Sequence, residues 1–351
     1  MKITKQIAVK LFAVAILCAP LARVKAQQPG TGGPQTGPAG QSLKGADLRG
    51  KVPVNRDVLK VTLPRPQEAA LKNGLRVLLI ENHNVPTFNM QLVFRGGGFN
   101  DPADKRGRAG MVAALLREGT KTRSSREISE AVDSLGSTLG ATSGIASMIT
   151  TVSSSGLVDN LDRTLDLFAD VVRNPKFAPE EVEKYKSRLL AQLQFQRSVP
   201  GFLAQSQFSR AVYGEHPAGQ ISPQEAAIKS ITPDDLAQFH STYYHPNNAF
   251  LAVFGDVTMK ELLPKLERVF GDWPKGNAPA APSLPAVQSQ TKPRVFLIDR
   301  PGSVQTTLML GNLGIERTNA DYFPLLVMNQ ILGGGPAARL FMNLREDKGY
   351  T

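Results

Sequence analysis

The chain has four histidines, His83, His216, His240 and His245, of which His240 and His245 are the pair nearest in sequence and could in principle ligate a metal ion together. They are five residues apart and straddle the end of a helical stretch and the turn at Tyr243-Tyr244. Zinc takes four ligands drawn from Cys, His and carboxylate, and neither a cysteine nor a second helix-spaced histidine pair stands with them. A metal site built from these histidines is therefore not expected. Ser153-Ser154-Ser155-Gly156 has no His and Asp placed to activate a serine. Gly96-Gly97-Gly98 follows a strand but lacks the G-x-G-x-x-G or Gly-Lys-Ser/Thr pattern that cradles phosphate. Gly333-Gly334-Gly335 follows a helix, and an anion binds at the other end of a helix. These Gly and Ser runs read as backbone turns.

The elements that would position any chemistry are organised around residues 107–120, GRAGMVAALLREGT. Met111, Val112, Leu115 and Leu116 recur at helical spacing and Gly119 stands where a helix stops, which predicts a short buried helix. Ahead of it, residues 75–79 and 88–94 read as strands, joined by a polar turn at 81–84. Behind it, residues 125–135 read as a helix capped by Ser124-Ser125, and 136–141 with 146–154 as a hairpin turning at Ser143-Gly144. Helices are expected at 159–172, 179–196 and 201–212, the first placing Leu161, Leu165, Phe168 and Val171 on one face. Another opens at Thr232-Pro233-Asp234-Asp235 and runs to Tyr244, followed by a strand at 249–254 and a helix at 258–270. This order predicts an α+β fold, a two-layer mixed or antiparallel sheet with helices on one face.

The segments flanking the central helix, LKNGLRVLLIENHNVPTFNMQLVFRGGGFNDP and GTKTRSS, resemble the N-terminal domain of the insulinase-like (pitrilysin) metallopeptidases. YHPNNAFLAVFGDV is similar to the family's Y-x-P-x-N-x-x-L-x-x-x-G-D element, matching at Tyr244, Pro246, Asn248, Leu251, Gly255 and Asp256. In that family the helix carries H-x-x-E-H, two histidines on one helix face binding Zn²⁺ and a Glu acting as general base. Counting back from Gly119 places the first His on Gly110, the Glu on Ala113 and the second His on Ala114. The third ligand is a Glu in a later run resembling F-x-P-E-E-x-E-x-x-x-x-x-x-x-E-E. Here that run is FAPEEVEKYKSRLLAQL, which keeps Phe177, Pro179, Glu180, Glu181 and Glu183 but has Ala191 and Gln192 for the paired Glu residues. Gly and Ala offer zinc no side-chain donor and water no base. No H-x-x-E-H occurs anywhere in the chain.

Residues 275–293, KGNAPAAPSLPAVQSQTKP, form a Pro/Ala linker, which sets a domain at 58–274 apart from residues 294–351. In the latter, 295–298 and 306–310 read as strands and 320–332 as a helix. LGGGPAARLFMNLREDKGYT resembles the family's L-G-G-G-x-x-S-R-L-x-x-x-L-R-E-x-x-G, with Ala338 for the usual Ser, so the pitrilysin-type domain is expected to be repeated and its second copy incomplete. In the family an Arg here and a Tyr seven residues later hydrogen-bond the substrate. Arg345 falls on that Arg and is the candidate substrate-binding residue, although a solvated role paired with Glu346 or Asp347 is equally open.

The 351 residues are 41% hydrophobic and 20% charged, an ordinary globular balance. Five of the cations behind the net charge of +11 lie in residues 1–26, and removing them leaves 11 − 5 = +6, with no basic run interleaved with aromatics to bind nucleic acid. Residues 1–26 read as a signal peptide: a basic start, an apolar run at 7–19 too short to span a bilayer, and Val24-Lys25-Ala26 before Gln27. A periplasmic or secreted location follows. Cys18, the only cysteine, falls inside that run, and residues 27–57 are Gly/Pro-rich and read as an unstructured tether.

The resemblance then implies an exported, zinc-free, non-catalytic subunit without cofactor of its own, which binds peptide and completes the chamber of a zinc-bearing family partner in a heterodimer. An envelope assembly scaffold is the second expectation. An active zinc metalloendopeptidase is the least expected, since water activation needs the absent ligands.

Overall fold

The computed structural model describes residues 64–289 and 292–351. The expected signal peptide and tether therefore lie outside the described residues. Six strands form one mixed sheet: β1 (Gln67–Ala70), β2 (Arg76–Glu81), β3 (Thr87–Arg95), β4 (Thr138–Thr142), β5 (Ile149–Leu157) and β6 (Ala249–Gly255), in the spatial order β1-β2-β6-β3-β5-β4. All neighbours are antiparallel except β2 and β6, which run parallel with Val77 opposite Leu251 and Leu79 opposite Val253. The expected α+β architecture is present.

Strict alternation builds the core. On β3, Phe88, Met90, Leu92 and Phe94 are buried while Thr87, Asn89, Gln91 and Arg95 face out, as a period of two requires. The buried face is covered by α1 (Arg108–Leu115), α2 (Ser125–Ser134), α3 (Leu161–Arg173), α4 (Pro179–Ser198), α7 (Pro233–Tyr243) and α8 (Met259–Phe270), with α5 (Pro200–Tyr213) and α6 (Glu225–Ser230) joining α4 to α7. Capping boxes open α2, α7 and α8, where Ser124, Thr232 and Thr258 accept a backbone N–H and Glu127, Asp235 and Glu261 reach back. The continuous apolar core runs from Leu71 to Trp273.

Gly97 and Gly98 explain the glycine run. A Cβ on Gly98 would stand 2.4 Å from the carbonyl oxygens of Gly144 and Ile145, and one on Gly97 2.5 Å from that of Ser147. The backbone of the β4–β5 hairpin loop packs directly on them.

Residues 295–298 and 306–310 correct the sequence reading: neither forms a strand. Their composition suits one, but a strand needs a neighbour to complete its hydrogen bonds, and among the described residues none pairs with them. Val295, Leu297, Leu308 and Leu310 remain at least 85% exposed. The helix expected at 320–332 forms as α9 (Tyr322–Gly333).

Candidate functional site

Helix α1 is held at both ends by carboxylates. Ahead of it, Asp101 is buried and accepts the backbone N–H groups of Gly107 (2.9 Å) and Ala109 (3.1 Å), while Gly107 takes a left-handed φ of 102° that only glycine adopts at low cost. Burial pushes the Asp101 carboxyl up to about 6 against those hydrogen bonds and the nearby Arg108, whose Nε lies 3.6 Å away. The Arg108 guanidinium stacks over the Phe239 ring of α7 at 5.1 Å. Behind α1, Asp170 of α3 gathers Thr120 (2.8 Å), Thr122 (3.1 Å), Arg123 and Asn174 (3.0 Å), which pins the loop that follows the helix.

Gly110, Ala113 and Ala114 share one face of α1, at spacings of three, four and one. Ala113 is buried, and Gly110 and Ala114 are partly exposed. A Cβ on Gly110 would meet the Ser143 carbonyl oxygen at 3.1 Å, so this face abuts the end of β4. Ala191 lies on α4, one turn beyond Arg188, whose Nη2 reaches Glu118 Oε1 at 3.5 Å just past the end of α1. Both Ala191 and Gln192 are exposed. Zinc needs three or four N, O or S donors at about 2.0–2.3 Å, and the side chains at Gly110, Ala113, Ala114 and Ala191 provide none. Zinc does not fit them. Among the described residues no three His, Cys, Asp or Glu side chains are grouped to hold a metal ion.

The histidines are engaged elsewhere. His240 donates from Nε2 to the Val172 carbonyl (2.8 Å) and stacks on Tyr244 at 4.5 Å; burial pushes its pKa down to about 4. His245 donates from Nε2 to the Ser241 carbonyl (2.8 Å), so the pair does not converge on a common point. In the turn after β2, His83 binds Asp256 through Nδ1 (2.6 Å), a hydrogen bond that raises its pKa. His216 accepts the Ala218 N–H at Nδ1 (3.1 Å).

Arg345 lies in the helical turn Met342–Asp347, exposed, with its guanidinium over the Phe341 ring at 5.4 Å. Among the described residues it pairs with neither Glu346 nor Asp347.

Beside α1, β4 is an edge strand. Among the described residues it pairs only with β5, so the main-chain groups on its other side face outward and can receive an added strand.

This geometry has known relatives. The model of the insulinase (peptidase M16) family matches residues 76–222, and that of the M16 inactive domain matches residues 230–351. The chain belongs to the insulinase (M16) family. An uncharacterised zinc protease of Bacillus subtilis is 26% identical over 281 residues, covering 80% of this chain and 67% of that one; an uncharacterised zinc protease of Mycobacterium bovis is 29% identical over 288, covering 82% and 65%. The chain thus spans about two thirds of the length of these M16 relatives. An M16 inactive domain from Pseudomonas fluorescens superposes with a TM-score of 0.68 at 27% identity, over 82% of this chain and 69% of that one. A protease from Helicobacter pylori has the same fold, with a TM-score of 0.65 at 20% identity over 82% and 70%.

Asp101, Asp170 and Arg117 escaped the sequence reading. Helix-opening Asp is a recognisable signal, but Asp101 stands six residues before Gly107, too far for a capping pattern. The partners Thr120 and Asp170 are 50 residues apart, and nothing local links them.

Proposed function

We propose that this chain is a zinc-free, peptide-binding subunit of an M16 peptidase, exported by its first 26 residues, which completes the chamber of a zinc-bearing homologue as a heterodimer. What supports this reading is the composition of the positions that the family resemblance assigns to the ligands and base: Gly110, Ala113 and Ala114 on α1 and Ala191 on α4 carry no donor, on helices that otherwise form. The remaining frame retains what does not need zinc. The outward side of β4 pairs with an extended peptide through main-chain hydrogen bonds, and a closed chamber confines it near the partner's metal. Arg345 is proposed as a donor to the peptide in the assembled chamber.

The test is zinc content and peptidase activity of the purified protein, alone and mixed with an H-x-x-E-H-bearing homologue from the same cell. The expected outcome is no bound zinc and no activity alone, activity that rises in the mixture, and a fall on Arg345→Ala. Stoichiometric zinc with activity in the protein alone would overturn the proposal and the alignment of Gly110, Ala113, Ala114 and Ala191 with it.

A further inference from the structure

Three arginines bracket α1, and each has one guanidinium nitrogen shut off from solvent without a hydrogen-bond partner: Nη1 of Arg106, Nε of Arg108 and Nε of Arg117. Arg108 is partly accounted for, with Asp101 at 3.6 Å and the Phe239 ring beneath it. Arg106 and Arg117, both partly buried, make no side-chain hydrogen bond, ion pair or ring contact among the described residues. Arg106 precedes α1, in the loop shaped by Gly107, and Arg117 follows its end. The neighbour of Arg117, Glu118, is committed elsewhere, with Oε1 to Arg188 (3.5 Å) and Oε2 accepting from Ser125 (2.7 Å).

The place of Arg117 just past the end of α1 gives the missing partner a meaning. Leu116 keeps right-handed helical angles, and the Glu118 N–H donates to the Leu115 carbonyl (3.1 Å), so the chain turns on in helical sense past Leu115. Arg117 therefore follows Ala114, Ala113 and Gly110 by three, four and seven residues and extends the same face. The planar guanidinium offers paired N–H groups that match the two oxygens of a carboxylate, and a partly desolvated guanidinium binds one more strongly than a hydrated one does. A half-shielded cation that meets no anion among the described residues is suited to meet one on a ligand.

We propose that Arg117 is a carboxylate-binding residue beside α1, selecting peptides that present an acidic side chain or a C-terminal carboxylate there. The assignment rests on the peptide-binding reading above.

The experiment measures fluorescence anisotropy of a labelled peptide series with the purified full chain. The four peptides are identical except for Glu or Gln at the centre and a free or amidated C-terminus. The wild type is expected to bind at least one carboxylate-bearing peptide about tenfold or more tightly than the fully amidated one, the range of a charge-assisted hydrogen bond. Which arm shows the preference, central Glu or free C-terminus, identifies the source of the carboxylate. Arg117→Gln should abolish that preference while changing affinity for the fully amidated peptide by no more than about twofold, as expected of a change confined to one charged contact. Arg117→Lys, which keeps the charge without the fork, should retain part of it and serves if the Gln variant does not fold. Equal binding of all four peptides by the wild type would overturn the carboxylate assignment and leave peptide binding standing. Binding of none would overturn both.

Discussion

At the scale of single residues, the best-determined group near the site is Asp170. Its Oδ2 accepts from Thr120, Thr122 and Arg123 and its Oδ1 from Asn174, while Thr120 is only 3% exposed. Burial alone would raise this carboxyl's pKa, but the bonds from Asn174, Thr120, Arg123 and Thr122 outweigh it and hold the group below the usual carboxylate range. Removing it leaves the Thr120 hydroxyl and the Arg123 guanidinium without their acceptor. Asp170→Ala should cost about 2–4 kcal/mol in urea unfolding, and Asp170→Asn less, since one carbonyl oxygen still accepts. A loss under about 0.5 kcal/mol, typical of an unremarkable surface site, would show that the network adds nothing to the loop after α1.

At the scale of elements, five of the six strands and the main helices were legible because their patterns are local: alternation on β3, the apolar face of α3, the Thr232-Pro233 start of α7. β1 was not, since its QEAA has neither β-branched nor aromatic residues and is a strand only by pairing with β2. Six-residue α6 is too short to show a period. The opposite failure occurs at 295–298 and 306–310, where strand-like composition meets no partner. In the site, Gly110, Ala113, Ala114 and Ala191 were singled out only because the family resemblance assigns its ligand and base positions to them. The supports could not, because Asp101 and Asp170 act across loops and between helices.

The fit between Gly98 and the hairpin loop makes an element-scale prediction. A methyl group there meets backbone oxygens on two residues, which cannot rotate aside, so Gly98→Ala should destabilise by about 1–3 kcal/mol or more and loosen the β4–β5 hairpin that also abuts Gly110. Gly201, in the first turn of α5, has nothing within 4 Å of an added Cβ. Gly201→Ala should be neutral or stabilising by up to about 1 kcal/mol. Paired urea denaturations decide it: equal effects at the two positions would mean that the loop yields to Gly98.

At the scale of the whole molecule, two buried groups oppose each other as pH falls. His240 is held at about 4 by burial against an ordinary 6.5, so its contribution to stability is present above pH 6.5 and is lost as pH falls through 4. Asp101 is raised to about 6 from 3.8, so its contribution is fully present below 3.8 and is lost as pH rises through 6. The two shifts correspond to at most about 3.5 kcal/mol for His240 and about 3 kcal/mol for Asp101 at about 1.4 kcal/mol per pH unit. Between pH 6.5 and 4 the two largely cancel, so wild-type stability should change little over that interval and fall only below it, where Asp170 and the other paired carboxylates are protonated. Single substitutions unmask the terms. His240→Gln, which keeps a donor for the Val172 carbonyl, should grow more stable relative to the wild type as pH falls from 6.5 to 4. Asp101→Asn, which keeps one acceptor for the α1 backbone, should grow less stable over the same range. Unfolding free energies from urea titrations at pH 4, 5, 6 and 7 separate the curves, and two variants that merely parallel the wild type would show that neither group titrates across this interval in the folded chain.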